Sequence, residues 1–288
     1  MIDLHCHSTA SDGSCRPGDL PGLARAAGLS ALALTDHDTV AGLEAFLAAA
    51  PAAGIEPVTG VEFSCSWYDG TMHILGLWID QADPALLELL ARERESRRVR
   101  NESILKKLEC LGMPLSDVEM ATATGESGVM GRPHLAKALV TAGHCQDPQD
   151  AFARFLGRGR AAYVRRYLPL PEAVIRIIHG AGGVAVWAHP TAQLRASPAR
   201  LRQTARALIK AGLDGMETYY PEFTPAEVTL ALEVARQLSL LPSGGSDFHG
   251  SFTPDLRLGT GRGTLAVPDD ILPALREKAA AHRRAARP

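Results

Sequence analysis

Seven short apolar runs recur along the chain, at residues 2–6, 31–38, 57–67, 71–79, 183–188, 215–219 and 241–246. Helical patterns stand between most of them, at 17–27, 40–50, 170–180, 198–211 and 225–238. Strands that alternate with helices can bury both faces only in a parallel sheet covered by those helices. Seven strands in 288 residues favour closure into a barrel over an open sheet. The fold class expected is therefore α/β. Residues 83–165 break the rhythm: they read as almost wholly helical, with a charged helix over 84–111 and a Gly/Arg-rich turn at 157–160. This places a helical insertion at 83–165 over the barrel mouth, with the barrel itself made of 1–82 and 166–288.

The ends of the apolar runs carry the chemistry. His5-Cys6-His7 closes the first run, and strand alternation points the two imidazoles to one face and Cys6 to the other. Asp12 follows in the next loop beside Gly13. The second run ends Thr35-Asp36-His37-Asp38, a cluster costly to bury without partners. Glu62 lies inside the third run, where a carboxylate needs a cation or a hydrogen-bond network. His73 sits in the fourth. His134 follows Arg132-Pro133 at an expected helix start, His189 ends the fifth run before Pro190, and Asp247 and His249 flank Phe248. The alternation rule again places Asp247 and His249 on one face. The carboxyl ends of strands are where barrel enzymes keep their sites. Six histidines (His5, His7, His37, His73, His134, His249) and three carboxylates (Asp12, Glu62, Asp247) make nine candidate ligands without a thiolate, a donor set suited to Mn, Zn or Fe.

Several classes are disfavoured. No Walker A motif, dinucleotide fingerprint or serine-centred elbow is present. The net charge of −2 does not announce a nucleic-acid partner, although arginine outnumbers lysine by 25 to 5. No apolar run approaches 18 residues, and the opening MIDLHCHS lacks the basic and apolar regions of a secretion signal. The five cysteines lack CxxC spacing. These features lead us to expect reduced thiols, a cytoplasmic protein and no membrane association.

In order and spacing, His5-Cys6-His7 with Asp12, Thr35-Asp36-His37-Asp38, Glu62, His73, His134, Ala188-His189-Pro190 and Asp247-Phe248-His249 resemble the PHP (polymerase and histidinol phosphatase) family. The resemblance implies a distorted seven-stranded (β/α) barrel that hydrolyses phosphoesters with two or three divalent metal ions. It implies one metal on His5, His7, Glu62 and Asp247, a second sharing Glu62 with His73 and His134, and a third on Asp12, His37 and His249. Three divalent ions against three carboxylates and one hydroxide leave about +2, which a phosphate monoester dianion would neutralise. Glu62 and Asp247 are thereby expected to be catalytic as well as ligating. His189, surplus to the nine, is expected to donate to the phosphate or to protonate the leaving oxygen.

The chain further resembles a bacterial branch of that family containing nucleoside 3′,5′-bisphosphate phosphatases and exonucleases of short RNA. Its implied substrate is a small phosphorylated nucleotide such as adenosine 3′,5′-bisphosphate, which would lose its 3′-phosphate. A short oligonucleotide cut from its 5′ end and histidinol phosphate are the alternatives, and a metal-binding scaffold without turnover belongs to a different class. A second phosphate needs its own cationic pocket, for which Arg132, Arg158 and Arg160 offer forks, and Tyr219 or Tyr220 could stack on the base.

Overall fold

A computed structural model describes residues 1–68, 70–124 and 130–286. In chain order the elements are β1 (Ile2–Asp3), α1 (Leu20–Ala26), β2 (Ala31–Leu34), α2 (Leu43–Ala53), β3 (Glu56–Trp67), β4 (Gly70–Leu77), α3 (Pro84–Cys110), α4 (Asp117–Thr124), α5 (Arg132–Thr141), α6 (Pro148–Ala151), α7 (Pro171–Gly180), β5 (Val184–Trp187), α8 (Thr191–Ala196), α9 (Pro198–Lys210), β6 (Gly215–Tyr219), α10 (Pro225–Leu238), β7 (Leu241–Gly244) and α11 (Leu272–Ala286). The seven strands form one sheet in sequence order. Beyond β1 and β7 the chain continues the pairing: Leu4 N–H donates to Gly244 O, His7 N–H to Phe248 O and Asp247 N–H to His5 O. The fold is the expected distorted (β/α)7 barrel.

The all-parallel pattern expected from strand–helix alternation is corrected at one strand. β4 runs antiparallel to both β3 and β5, while the remaining pairs are parallel. The reason is local: only a turn separates β3 from β4, and so short a connection can make only an antiparallel pair. Asp69, in the middle of the expected turn, lies outside the described residues.

Strand pleat sorts the side chains into two cores. Leu32, Leu34, Val61, Phe63, Ile74, Ala185, Trp187 and Met216 face outward onto α1, α2, α7, α9 and α10. Ala31, Ala33, Val58, Leu75, Leu77, Val184 and Val186 face inward, where α11 covers them with Leu272, Leu275 and Ala279. Glu62, His73 and Glu217 alternate with outward-facing neighbours, so the pleat turns them toward the barrel interior. A third core, built on Ile104, Leu108, Leu135, Leu139 and Leu156, belongs to the segment after β4. That segment opens with α3, whose start is fixed by Asp83: its carboxylate accepts the Leu86 N–H at 2.8 Å. No helix among the described residues is long and apolar enough to cross a membrane.

Candidate metal centre

At the carboxyl end of the barrel, Glu62 is buried and five histidines converge on it. Its Oε2 lies 3.3 Å from His5 Nε2, 3.2 Å from His7 Nε2 and 3.0 Å from His37 Nδ1. Its Oε1 lies 2.8 Å from His73 Nδ1 and 2.9 Å from His189 Nε2. Asp247 Oδ1 is 3.3 Å from His5 Nε2 and 3.2 Å from His7 Nε2. Asp12 stands on the other side, 3.4 Å from His249 Nε2, 3.7 Å from His7 Nδ1 and 3.8 Å from His37 Nε2. The donor atoms thus gather into three overlapping groups: His5, His7, Glu62, Asp247; His37, Glu62, His73; and His7, Asp12, His37, His249.

Each position has a local cause. His5 and His7 flank Cys6, whose thiol points into the outer core, as the alternation requires. Asp247 and His249 converge for another reason. Asp247 has φ +53, so a left-handed kink and not strand pleat brings the pair together. Gly245 makes room for that kink: a Cβ there would lie 2.4 Å from both N and Cβ of His5. Asp36 holds the Asp12 loop by accepting from Ser8 N, Ser8 Oγ and Ser11 Oγ at 2.6–2.8 Å.

The structure groups Glu62 and His73 with His37 and His189, and not with His134. His134 is buried at the third position of α5, where its Nδ1 accepts the Gly131 N–H at 2.9 Å and its ring meets the edge of Phe252. That helix start seats His134 on the Asp12 side of the site, and its pKa is lowered by burial against the pull of Asp12. Glu217 was not singled out by sequence, although an acid in an apolar strand is the same signal that marked Glu62. It is buried, with Oε1 3.0 Å from His5 Nδ1 and Oε2 accepting the His189 N–H at 2.6 Å. It thereby orients one imidazole and one backbone turn, the work of a partner behind a metal ligand.

The protonation pattern is that of a metal centre seen without cations. Burial alone would raise the Glu62 carboxyl, but His37, His73 and His5 outweigh it and hold it well below the carboxylate range. Asp12 and Asp247 are depressed in the same way by the imidazoles around them. Burial opposes a charge on His7, yet its bonds to Asp247 and Glu62 carry it up to about 10. His37, desolvated and beside His7 and His73, falls to about 3. Two ring nitrogens, His5 Nε2 and His7 Nε2, face each other at 3.2 Å, and His37 Nδ1 is buried without a hydrogen bond. Divalent cations in place of these protons would satisfy every donor atom, so the residues fit the ions.

A cavity of about 810 Å3 opens from Asp12, His37 and His73 toward the helical segment. Arg97, Arg100, Arg132, Arg158, Arg165 and Arg166 line it. Arg160 is exposed and lies outside it. Tyr220 does not reach the cavity either: its hydroxyl donates to Asp247 Oδ2 at 2.9 Å and its ring packs between His189 and Phe223.

Residues 3–105 match the PHP domain model. A 5′-3′ exoribonuclease of Haemophilus influenzae is 39% identical over 256 residues, covering 86% of this chain and 89% of that protein. The chain belongs to the PHP domain family. A second member, a 3′,5′-nucleoside bisphosphate phosphatase of Chromobacterium violaceum, is 35% identical over 248 residues, 86% of this chain and 87% of the relative. A solved structure from Bifidobacterium adolescentis, described as a metal-dependent phosphoesterase, superimposes with a TM-score of 0.84 at 31% identity over 96% of each chain. This PHP protein is accordingly a metal-dependent hydrolase of phosphoester bonds, and divalent ions are its cofactors.

Proposed function

We propose that the protein removes the 3′-phosphate from nucleoside 3′,5′-bisphosphates, adenosine 3′,5′-bisphosphate among them, leaving the 5′-monophosphate. Two to three ions of Mn, Zn or Fe would be held by His5, His7, Glu62 and Asp247, by His37, Glu62 and His73, and by His7, Asp12, His37 and His249, whose donor atoms lie close enough together to share them. When bound, they polarise the phosphoryl oxygens and allow water to act as nucleophile at neutral pH. His189, whose Nε2 bonds to Glu62 at 2.9 Å, would hold the proton for the leaving oxygen. Burial opposes its charge, and the Glu62 bond restores it, raising the ring above its ordinary value.

The observation that carries the substrate is Arg100. Arg97 and Arg166 in the cavity wall share the Asp38 carboxylate: Arg97 Nη2 lies 2.6 Å from it and Arg166 Nη2 3.1 Å. Arg100 is equally buried, yet its hydrogen bonds go to the neutral Asn101 amide oxygen at 2.8 and 3.2 Å. Burial and the neighbouring arginines push its pKa down to about 9. A buried cation of this kind calls for an anion, which the second phosphate of the substrate supplies. Arg132 and Arg158 complete the recognition from the same wall. The 39% identical exoribonuclease supports a second reading, cleavage at the 5′ end of a short RNA.

The test compares kcat/KM for adenosine 3′,5′-bisphosphate, adenosine 3′-monophosphate, histidinol phosphate and a 5′-phosphorylated short RNA. The bisphosphate should lead the monophosphate by at least about tenfold, roughly 1.4 kcal/mol, and Arg100→Met should shrink that ratio. A clear preference for the RNA or for histidinol phosphate overturns the reading.

A further inference from the structure

A second convergence of metal-type ligands lies at the opposite end of the barrel. Asp214 immediately precedes β6, whereas Glu217 of the catalytic end lies three residues further on, roughly 10 Å along the strand. The Asp214 carboxylate is buried, and three other elements deliver groups to it. His179, at the end of α7, places Nε2 2.8 Å from Oδ2. His282, on α11, places Nε2 3.1 Å from Oδ1. The Ala185 N–H of β5 donates to Oδ2 at 2.9 Å and sets the orientation of the carboxylate. The two imidazoles are stacked, with centroids 3.9 Å apart and planes inclined by 17°.

We propose that His179, Asp214 and His282 form an additional transition-metal site, of zinc type, on the barrel floor. Two imidazoles and one carboxylate are a common zinc donor set when water takes the fourth place. The three donor atoms lie within 4.8 Å of one another. Zinc bonds of about 2.0–2.2 Å put tetrahedral ligands about 3.4 Å apart, so the contacts of 2.8 and 3.1 Å need to open by only a few tenths of an ångström. Both imidazoles are about one-fifth exposed, which gives an ion entry from solvent. Lys278 Nζ, 3.3 Å from Oδ1, is the resident competitor; it is 43% exposed and can swing its flexible stem into water. Bound there, zinc would fasten the helix that closes the barrel interior to α7 and to the root of β6.

The test is carried out on the full-length protein with Zn2+ alone. His282→Ala, a partly exposed position, should bind one metal equivalent less than the parent after gel filtration. Its Zn2+-dependent rise in Tm at saturation should be smaller by about 5 °C. The same loss should appear when His282→Ala is introduced beside Glu62→Gln, where the catalytic cluster is already weakened. His179→Gln should reproduce both effects, and hydrolysis should persist in either single variant. Equal metal content and an equal rise in Tm in parent and variants would overturn the site.

Discussion

At the residue scale, Glu62 decides the centre, because five histidines share its two oxygens. Glu62→Gln keeps the shape but removes the negative charge on which these rings converge and which links the donor groups. Mutating partners behind metal ligands already costs about 10–100-fold, so Glu62→Gln should lower kcat/KM by more than about a hundredfold. Metal analysis should show at least one equivalent lost. Parent-like metal content and turnover would remove Glu62 from the bridging position. The residues that surround it are legible in sequence to different degrees. His5, His7, Glu62 and His73 follow from pleat and polarity. His189 did not follow as a contact of Glu62, because that contact depends on Glu217 capturing its backbone N–H and on a left-handed φ of +29.

At the element scale, the site is made where strands stop being strands. Asp38, His189 and Asp247 all take positive φ values, at 52°, 29° and 53°, just past β2, β5 and β7. Such conformations cost on the order of 1–3 kcal/mol each and persist only where the surroundings enforce them. At the β7 end, Gly244 and Gly245 allow the enforcement, since a Cβ at either would strike Tyr219 or His5. Gly245→Ala should therefore push His5 from its place. We expect a stability loss of about 1–3 kcal/mol in urea titrations, together with loss of the metal that His5 holds. A parent-like midpoint and metal content would show that the close approach is dispensable.

At the scale of the whole molecule, a buried ionic network joins the helical segment to the barrel. Asp38, after β2, is held by Arg97 of α3 and by Arg166, and Glu93 of α3 pairs with Arg166. Burial and the like charge of Asp38 push Glu93 up to about 7 despite the two arginines. The folded protein thus keeps a proton on Glu93 that the unfolded chain releases near pH 4.5. Stability from this group is present below that value and declines as pH rises through about 7. Glu93→Gln should abolish that decline, so that the variant gains on the parent between pH 5 and pH 8. The check is denaturant unfolding of both proteins at the two pH values. A constant difference between them would mean that Glu93 does not titrate in this range.

The chain by itself determined the barrel, its seven strands and the chemistry of their ends, because strand and helix periodicities and the cost of burying charge are local properties of sequence. It also set the inward direction of Glu62 and His73, since pleat is a property of one strand. Tertiary structure alone decided the grouping of His189 in place of His134 around Glu62 and the kink that turns Asp247 inward. It also decided that Arg97 and Arg166 meet a carboxylate while Arg100 meets an amide oxygen. Arg97, Arg100 and Arg166 are alike as sequence, and only the approach of Asp38 from a distant part of the chain separates Arg97 and Arg166 from Arg100. Pairing between distant residues has no local signature, because the energy of a buried charge depends on what the fold brings within a few ångströms of it.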